Sequence, residues 1–302
     1  MEIVVVGSIN VDYSVMAKRL PKKGETILAS SLNIIPGGKG ANQAVAAKRL
    51  GGNVSMIGAV GNDAIGKKMK ENLRENGIDI SGIIELDDVT GTAFIAVSED
   101  GENSIIVYPG ANEGLTPKNI EALEDIIEKG DIILIQLEIP MQVVEKTILL
   151  AKKYNKKVIL NPAPAKEIPQ DVYKNIYIIT PNETELELLT GTKNIEEGAK
   201  KLLDKGVEKV VVTLGSRGCL YMDRDNIKYF NSYKVKVVDT TAAGDTFNAA
   251  LAIGVDKAID KMIEFANASA GLSTTKLGAQ SSIPYLNDMI GFIEGLEEKI
   301  DM

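Results

Sequence analysis

Histidine is absent from the 302 residues of this chain. That excludes Ser-His-Asp and Cys-His hydrolases, histidine-ligated metals and histidine general bases together. Any proton transfer therefore falls to a carboxylate, a lysine or a tyrosine. Cysteine is nearly absent too: Cys219 stands alone, which rules out an intrachain disulfide and a zinc cluster built of cysteines. Basic residues are in deficit, 34 against 42 acidic ones, for a formal charge of -8. Nucleic-acid binding rests on a positive field that such a balance does not supply. A single anion can still be held by a few backbone N–H groups and one lysine. No apolar run approaches the ~18 residues of a membrane span. The start, Met1 to Gly7, reads as a buried strand and not as a signal segment, so a cytoplasmic protein is expected. Linkers rich in Pro, Ser or Gly, repeats and low-complexity tracts are missing as well, and one domain over residues 1–302 is expected.

What the chain does have is alternation. Short apolar runs at Ile3–Val6, Val54–Val60, Ile132–Leu137, Val158–Leu160, Ile176–Ile179 and Val210–Thr213 suit strands buried on both faces. Helical stretches lie between them. Ile65, Met69 and Leu73 recur every four residues before Gly77, and Pro117, Ile120, Leu123 and Ile127 run to Gly130. Such alternation predicts an α/β fold, a three-layer doubly wound and mainly parallel sheet. Two segments break the pattern. Residues 13–36 carry β-type and turn residues without a helical period. Residues 91–108 read as a hairpin, Thr92–Val97 and Ser104–Tyr108, turning at Asp100-Gly101. Paired, they would form a small β-sheet lid, or a dimer surface.

Five motifs can carry chemistry. Gly37-Gly38-Lys39-Gly40-Ala41-Asn42 precedes a helix expected over Gln43–Leu50. Its glycines permit close backbone approach to a ligand, and serve equally as a tight turn. Asp239-Thr240-Thr241-Ala242-Ala243-Gly244-Asp245 lies between an expected strand, Val235–Val238, and an expected helix, Phe247–Ile253. Small residues at a helix N-terminus leave N–H groups free to cradle phosphate. Asp245 there is a candidate base. Capping alone would explain Asp245, but neither the string of small residues nor the second aspartate, Asp239. Asn182 and Glu185 supply hard oxygen ligands on a first helical turn, and by themselves read best as a capping box. Thr213-Leu214-Gly215-Ser216-Arg217-Gly218 follows a strand end, where open α/β sheets bind ligands. Asn10 and Asp12, after the first strand, either grip two hydroxyls or form an Asx turn. The Gly37–Asn42 run is not a Walker A loop, since the Gly-x-x-x-x-Gly-Lys-Ser/Thr spacing is absent from it, and the turn after the first strand lacks Gly-x-Gly-x-x-Gly.

In this order the motifs resemble the ribokinase-like (PfkB) family of carbohydrate and nucleoside kinases, from Gly7 to Pro284. The signatures are Gly37–Asn42 and Asp239–Asp245, about two hundred residues apart. The continuation Lys39-Gly40-Ala41-Asn42 favours a ribose-phosphorylating member. Ala242 stands where the family more often has glycine, and its N–H survives the exchange.

The resemblance implies ATP-dependent phosphorylation of a small sugar, ribose at O5 in the first place, with deoxyribose, fructose or adenosine as alternative acceptors. It implies Asp245 as general base and an anion hole at Ala242, Ala243, Gly244 and Asp245. The sugar pocket would be lined by Asn10, Asp12, Gly38, Lys39, Gly40, Asn42, Glu138 and Asp245. ATP would be held by Asn182, Thr213, Gly215, Ser216, Gly218, Gly244 and Asn267. Asn182 and Glu185 would organise Mg²⁺, or another divalent cation, through water. K⁺ would sit among Asp239, Thr241, Ser273, Lys276, Gly278 and Ser282. A homodimer through the lid strands is implied, with neither nucleic acid nor membrane as partner.

Overall fold

The computed structural model describes residues 1–300, with side chains described as far as residue 293. Its strands, in chain order, are β1 Glu2–Val6, β2 Asn10–Ala17, β3 Ala29–Gly37, β4 Asn53–Gly61, β5 Asp79–Leu86, β6 Gly91–Ser98, β7 Asn103–Tyr108, β8 Ile132–Gln136, β9 Lys157–Asn161, β10 Ile178–Ile179, β11 Lys209–Thr213, β12 Cys219–Met222 and β13 Ile227–Phe230. Nine of them form one sheet in the order β13-β12-β11-β10-β9-β8-β1-β4-β5. From β11 to β5 every pairing is parallel, and β12 and β13 add an antiparallel edge.

Period-two alternation splits the strand side chains between two cores. Ile3, Val5, Leu134, Ile159 and Val211 face one core, with helices Lys39–Arg49, Ala64–Glu75, Ala243–Gly254 and Ile259–Ser273. Val4, Val6, Ile133, Ile135, Leu160 and Val210 face the other, with helices Met141–Lys153, Glu183–Thr190 and Ile195–Asp204. Neither face of the central strands is left to water, which is why they read as continuous apolar runs. Each buried aliphatic side chain contributes roughly 1.5–3 kcal/mol of transfer free energy. This is the expected three-layer α/β arrangement.

The two segments that break the alternation pair with one another. They make a separate sheet, β3-β2-β6-β7, in which only the β2–β6 pairing is parallel. Its root is fixed by Asn10, opposite Gly37 on one side and Gly91 on the other. The chain leaves β1, crosses at Gly7–Ile9, and returns from β3 directly into the helix Lys39–Arg49. The root of the small sheet therefore lies at the carboxyl end of β1.

Several boundaries differ from expectation. The first helix begins at Lys39 instead of Gln43, because Gly38, at φ 88°, turns the chain straight from β3 into the helix. The late helix spans Ala243–Gly254 instead of Phe247–Ile253, entered from Ala242 in the left-handed region at φ 60°. The expected strand Val235–Val238 does not form: Val237 and Val238 are exposed, and the N–H groups of Val238 and Asp239 go to Thr274 O. The 117–130 stretch is two helices, Pro117–Ala122 and Glu124–Lys129, broken at Leu123. Only Ile178–Ile179 of the run 176–179 is strand. Strands β5, β12 and β13 add to the strands expected from the apolar runs.

Candidate active site

Backbone crowding at the carboxyl end of β1 builds the first wall of the site. A Cβ on Gly38 would fall 2.7 Å from Asn10 N and 2.9 Å from Ser8 O. A Cβ on Gly40 would fall 2.6 Å from the carbonyl carbon of Gly7. Only glycine lets the helix Lys39–Arg49 start this close to the crossing chain. The Glu138 carboxylate, just beyond β8, sits at that helix N-terminus. Its Oε2 accepts from Lys39 N at 3.1 Å and from Ser8 Oγ at 2.5 Å, the favourable sign for a helix tip. On the small-sheet side, Asn10 and Asp12 are both buried. Asn10 Oδ1 accepts from Asn112 Nδ2 at 2.8 Å, and a Cβ on Gly37 would come within 2.2 Å of Asp12 Oδ2.

Asp245 lies in the first turn of the helix Ala243–Gly254, but it does not cap that helix. Among the described residues no side chain caps it. The Asp245 carboxylate instead points to the helix Lys39–Arg49, where Oδ2 accepts from Asn42 Nδ2 and Oδ1 from Gln43 Nε2, each at 3.0 Å. Ala243 N donates to Thr240 O at 3.2 Å and Thr246 N to Ala242 O at 2.9 Å. Of the first-turn donors, the N–H groups of Gly244 and Asp245 remain uncommitted among the described residues. A Cβ on Gly244 would meet no atom within 4 Å. An N-terminus of this kind accepts an anion.

Four carboxylates, Asp12, Glu138, Glu185 and Asp245, and one ammonium, Lys39, share the cleft. Burial pushes the Asp12 carboxyl up to about 7, helped by Glu138 and Asp245 and opposed by Lys39. Burial also raises Asp245, with Lys39, Asn42 and Gln43 pulling the other way. For Lys39 burial disfavours the charge, yet Asp245, Glu138, Glu185 and Asp12 together outweigh it and hold its pKa above the usual range. Lys39 is thus the charge that opposes burial at Asp12, Asp245 and Glu185.

A second group of candidates gathers at the carboxyl ends of β10 and β11. Asn182 bridges to Thr213. Asn182 and Glu185 form the capping box of the helix Glu183–Thr190, with Asn182 Oδ1 accepting from Glu185 N at 2.8 Å and Glu185 Oε2 from Asn182 N at 2.9 Å. Glu185 is half-buried and raised by that burial, against Asn182 N–H and the Lys39 charge, so it faces the same cleft. Gly215 and Gly218 have positive φ, 58° and 91°, around the turn that contains Ser216. Asn267 is buried behind this turn, its amide donating to Asn231 O at 3.3 Å.

Oxygen-bearing side chains stand at both positions expected to hold a cation. Among the described residues no group of three or more acidic or cysteine side chains could hold a metal, so a divalent ion would rely on phosphate and water, as Mg²⁺ commonly does. Glu185 Oε1, outside the capping box, is available to such waters. For a monovalent ion, Asp239 joins the two expected segments. Its Oδ1 accepts from Thr241 N at 2.9 Å and Oγ1 at 2.6 Å, and its Oδ2 from Gly278 N at 2.8 Å. Burial alone would raise Asp239, but these donors outweigh it and hold it low, hence ionised. Ser273 and Ser282 are buried, their hydroxyls donating to Ala270 O and Ala279 O, while Lys276 is exposed.

Sequence reasoning missed a set of buried polar residues around these groups. Gln43, Asn161 and Gln136 lie behind Asp245, Ser8 behind Glu138, Asn112 behind Asn10, and Gln280 behind Asn42. A signal did exist: Gln136 and Asn161 are the polar last residues of apolar strands.

A doubly wound sheet with an anion-ready helix tip and a polar cleft at its carboxyl edge defines a kinase of small hydroxylated molecules. Residues 1–286 match the model of the pfkB family carbohydrate kinases. A ribokinase of Haemophilus influenzae is 42% identical over 298 residues, covering 96% of this chain and 97% of that protein. The crystal structure of a ribokinase from Thermotoga maritima superposes with a TM-score of 0.90 at 39% identity, covering 97% of this chain and 99% of the other. An Arabidopsis thaliana ribokinase, solved with ribose and ATP, gives a TM-score of 0.90 at 35% identity, covering 96% and 97%. The chain belongs to the pfkB family of carbohydrate kinases.

Proposed function

We propose that this kinase transfers the γ-phosphoryl group of ATP to O5 of D-ribose, giving ribose 5-phosphate and ADP, with Asp245 as general base. The observation that carries the reading is Asp245 itself: a carboxylate 7% exposed, beside uncapped N–H groups, and turned away from the capping role that would otherwise explain it. Asn10, Asp12, Gly38, Lys39, Gly40, Asn42 and Glu138 hold the sugar hydroxyls. Asn182, Thr213, Gly215, Ser216 and Gly218 hold the nucleotide, with Gly244 at its phosphates and Asn267 behind the adenine.

Phosphoryl transfer needs positioning and charge neutralisation more than covalent help. As O5 bonds to the γ-phosphorus and the β–γ bridging bond breaks, the O5 proton passes to Asp245 and ADP departs. The N–H groups of Gly244 and Asp245 meet the charge that develops on the transferred group. Ala242 and Ala243 shape this tip, although the N–H of Ala243 is spent on Thr240. Lys39 lies across the same cleft. A divalent ion among the phosphates, near Asn182 and Glu185, supplies further neutralisation when bound. Asp239, Thr241 and the segment 273–282 would hold K⁺, which would supply positive charge close to the helix tip. The small sheet acts as a lid that excludes water as a competing acceptor. Its apolar residues pair with a second copy, and the enzyme works in the cytoplasm as a homodimer. Among the described residues no helix is long and apolar enough to cross a membrane.

The test is ATP consumption with ribose, deoxyribose, fructose and adenosine, each with and without K⁺. The highest kcat/KM is expected with ribose. A clear preference for another acceptor would move the assignment within the family.

A further inference from the structure

Behind Asp245 lies a chain of side-chain amides that binding alone does not require. Gln136 Nε2 donates to Gln43 Oε1 at 2.6 Å. Gln43 Nε2 donates to Asp245 Oδ1 at 3.0 Å and to Asn161 Oδ1 at 3.2 Å. Gln43 and Gln136 are each 0% exposed. An amide can face a carboxylate with its NH₂ or with its oxygen, and only the NH₂ is attractive. Gln136 settles the choice, because its N–H occupies the Gln43 oxygen and leaves only the Gln43 NH₂ for Asp245. At the far end, Gln136 Oε1 is buried without a partner, against the backbone of Gly7, where a Cβ would fall 1.9 Å away. A buried acceptor left unpaired costs stability. It is tolerated here in the one orientation that aims both amide dipoles, head to tail, at the carboxylate.

We infer that Gln136 and Gln43 form a polarised amide relay that fixes the rotation of the Asp245 carboxylate and favours its ionised form. Neither amide bonds to any residue assigned to the sugar or nucleotide other than Asp245, so both are positioning residues. The inference rests on reading Asp245 as the base. The Asn42 bond to Oδ2 completes the clamp. Lys39 and Asn42 come from the same helix as Gln43, Glu138 follows β8, and Asp12 faces the cluster from β2. These groups set the field in which Asp245 titrates, and they are unchanged in the variants below.

The experiment is the pH profile of kcat for Gln43→Leu, Gln43→Glu and Gln136→Met beside the parent enzyme and Asp245→Asn. Loss of a donor to the carboxylate raises its pKa. In Gln43→Leu the acid limb is expected about half a unit to one unit higher, with kcat down about tenfold near pH 7 and KM for sugar and ATP within about twofold. Gln43→Glu places a second carboxyl against Asp245, and the pair sharing one proton shifts the limb further in the same direction. Gln136→Met keeps side-chain volume and removes the unpaired oxygen, so Tm is held or raised while the limb still moves upward. A purely structural role would lower Tm and activity together without moving the limb. Unshifted limbs in folded Gln43→Leu and Gln136→Met, with Asp245→Asn inactive, would overturn the relay alone. An active Asp245→Asn would overturn the base assignment, and the relay with it. Should Gln43→Leu not fold, Gln136→Met decides by itself.

Discussion

Asn42 and Asp245, 203 residues apart in the chain, meet through a 3.0 Å hydrogen bond from Asn42 Nδ2 to Asp245 Oδ2. It joins the two glycine-rich motifs in one cleft, and it ties the proposed base to a residue proposed to touch the sugar. On the proposed roles, this one amide would couple sugar binding to base orientation.

Asp245→Asn is the direct consequence. The variant keeps side-chain size but cannot take the O5 proton, and kcat is expected to fall roughly 10²–10⁴-fold. Sugar and ATP KM change far less, because the amide still fills the same space. Steady-state kinetics with circular dichroism as the check on folding measure this, and near-parental turnover by a folded variant contradicts the assignment.

Asp12 gives a pH signature. Its carboxyl stands near pH 7 in the folded protein, against 3.8 for an unperturbed aspartate. The folded state therefore binds this proton more tightly than the unfolded chain, and folding loses stability as pH rises from about 4 to about 7. Asp12→Asn escapes that loss. Its Tm relative to the parent is expected to climb across this window and level off above it. In kinetics, kcat/KM for the sugar reports the free enzyme. It is expected to drop as pH falls through about 7 in the parent, and to lose that limb in Asp12→Asn. A Tm difference independent of pH would mean that Asp12 is not destabilised by its charge.

Gly37→Ala tests the steric basis of the same pocket. The added methyl would meet Asp12 Oδ2 at 2.2 Å and its carboxyl carbon at 2.3 Å, so the Asp12 side chain must swing aside. Displacement of a substrate-positioning group by about 1 Å can cost about 10²-fold. Sugar KM is expected to rise at least tenfold while ATP KM stays within about twofold. Equal rises in both would point to general disruption instead.

Much of this was legible before any coordinates. Alternating buried runs gave the parallel order, since Val and Ile on both faces of β1, β8 and β9 leave no polar side. The glycine motifs were legible because backbone approach at Gly38 and Gly40 leaves no other residue type. What was not legible has physical causes. Helix starts at Lys39 and Ala243 carry no side-chain cap, so the usual start signal is missing there. Val235–Val238 has strand residues but joins no sheet, and the Val238 N–H goes to Thr274 O instead. Gln43 stands among alanines in a helix, where one polar residue normally faces water. Its role depends on Gln136 and Asn161, roughly a hundred residues away or more, and only the crossing of β8 and β9 under that helix brings them together.

The small sheet supports a last prediction. Cross-strand pairing sets Ile34, Tyr13, Phe94 and Ile106 in one row on the same face. Tyr13 and Phe94 stack with ring centroids 5.7 Å apart, yet Phe94 is 52% exposed and Ile106 70%. Every residue of the edge strand β7 is exposed, including Ile105, Val107 and Tyr108. An apolar edge of this length invites pairing with another chain, and a second copy offers the matching surface by symmetry. Ile106→Asp places a charge in the centre of that row. It is expected to convert a dimer to a monomer in light scattering at micromolar concentration, with the Tm of the nine-stranded body little changed. Because the same sheet carries Asn10 and Asp12 toward the proposed sugar pocket, sugar KM is expected to rise in the monomer more than ATP KM does. A parent protein that is already monomeric at that concentration would refute the dimer, and with it the link between assembly and sugar affinity.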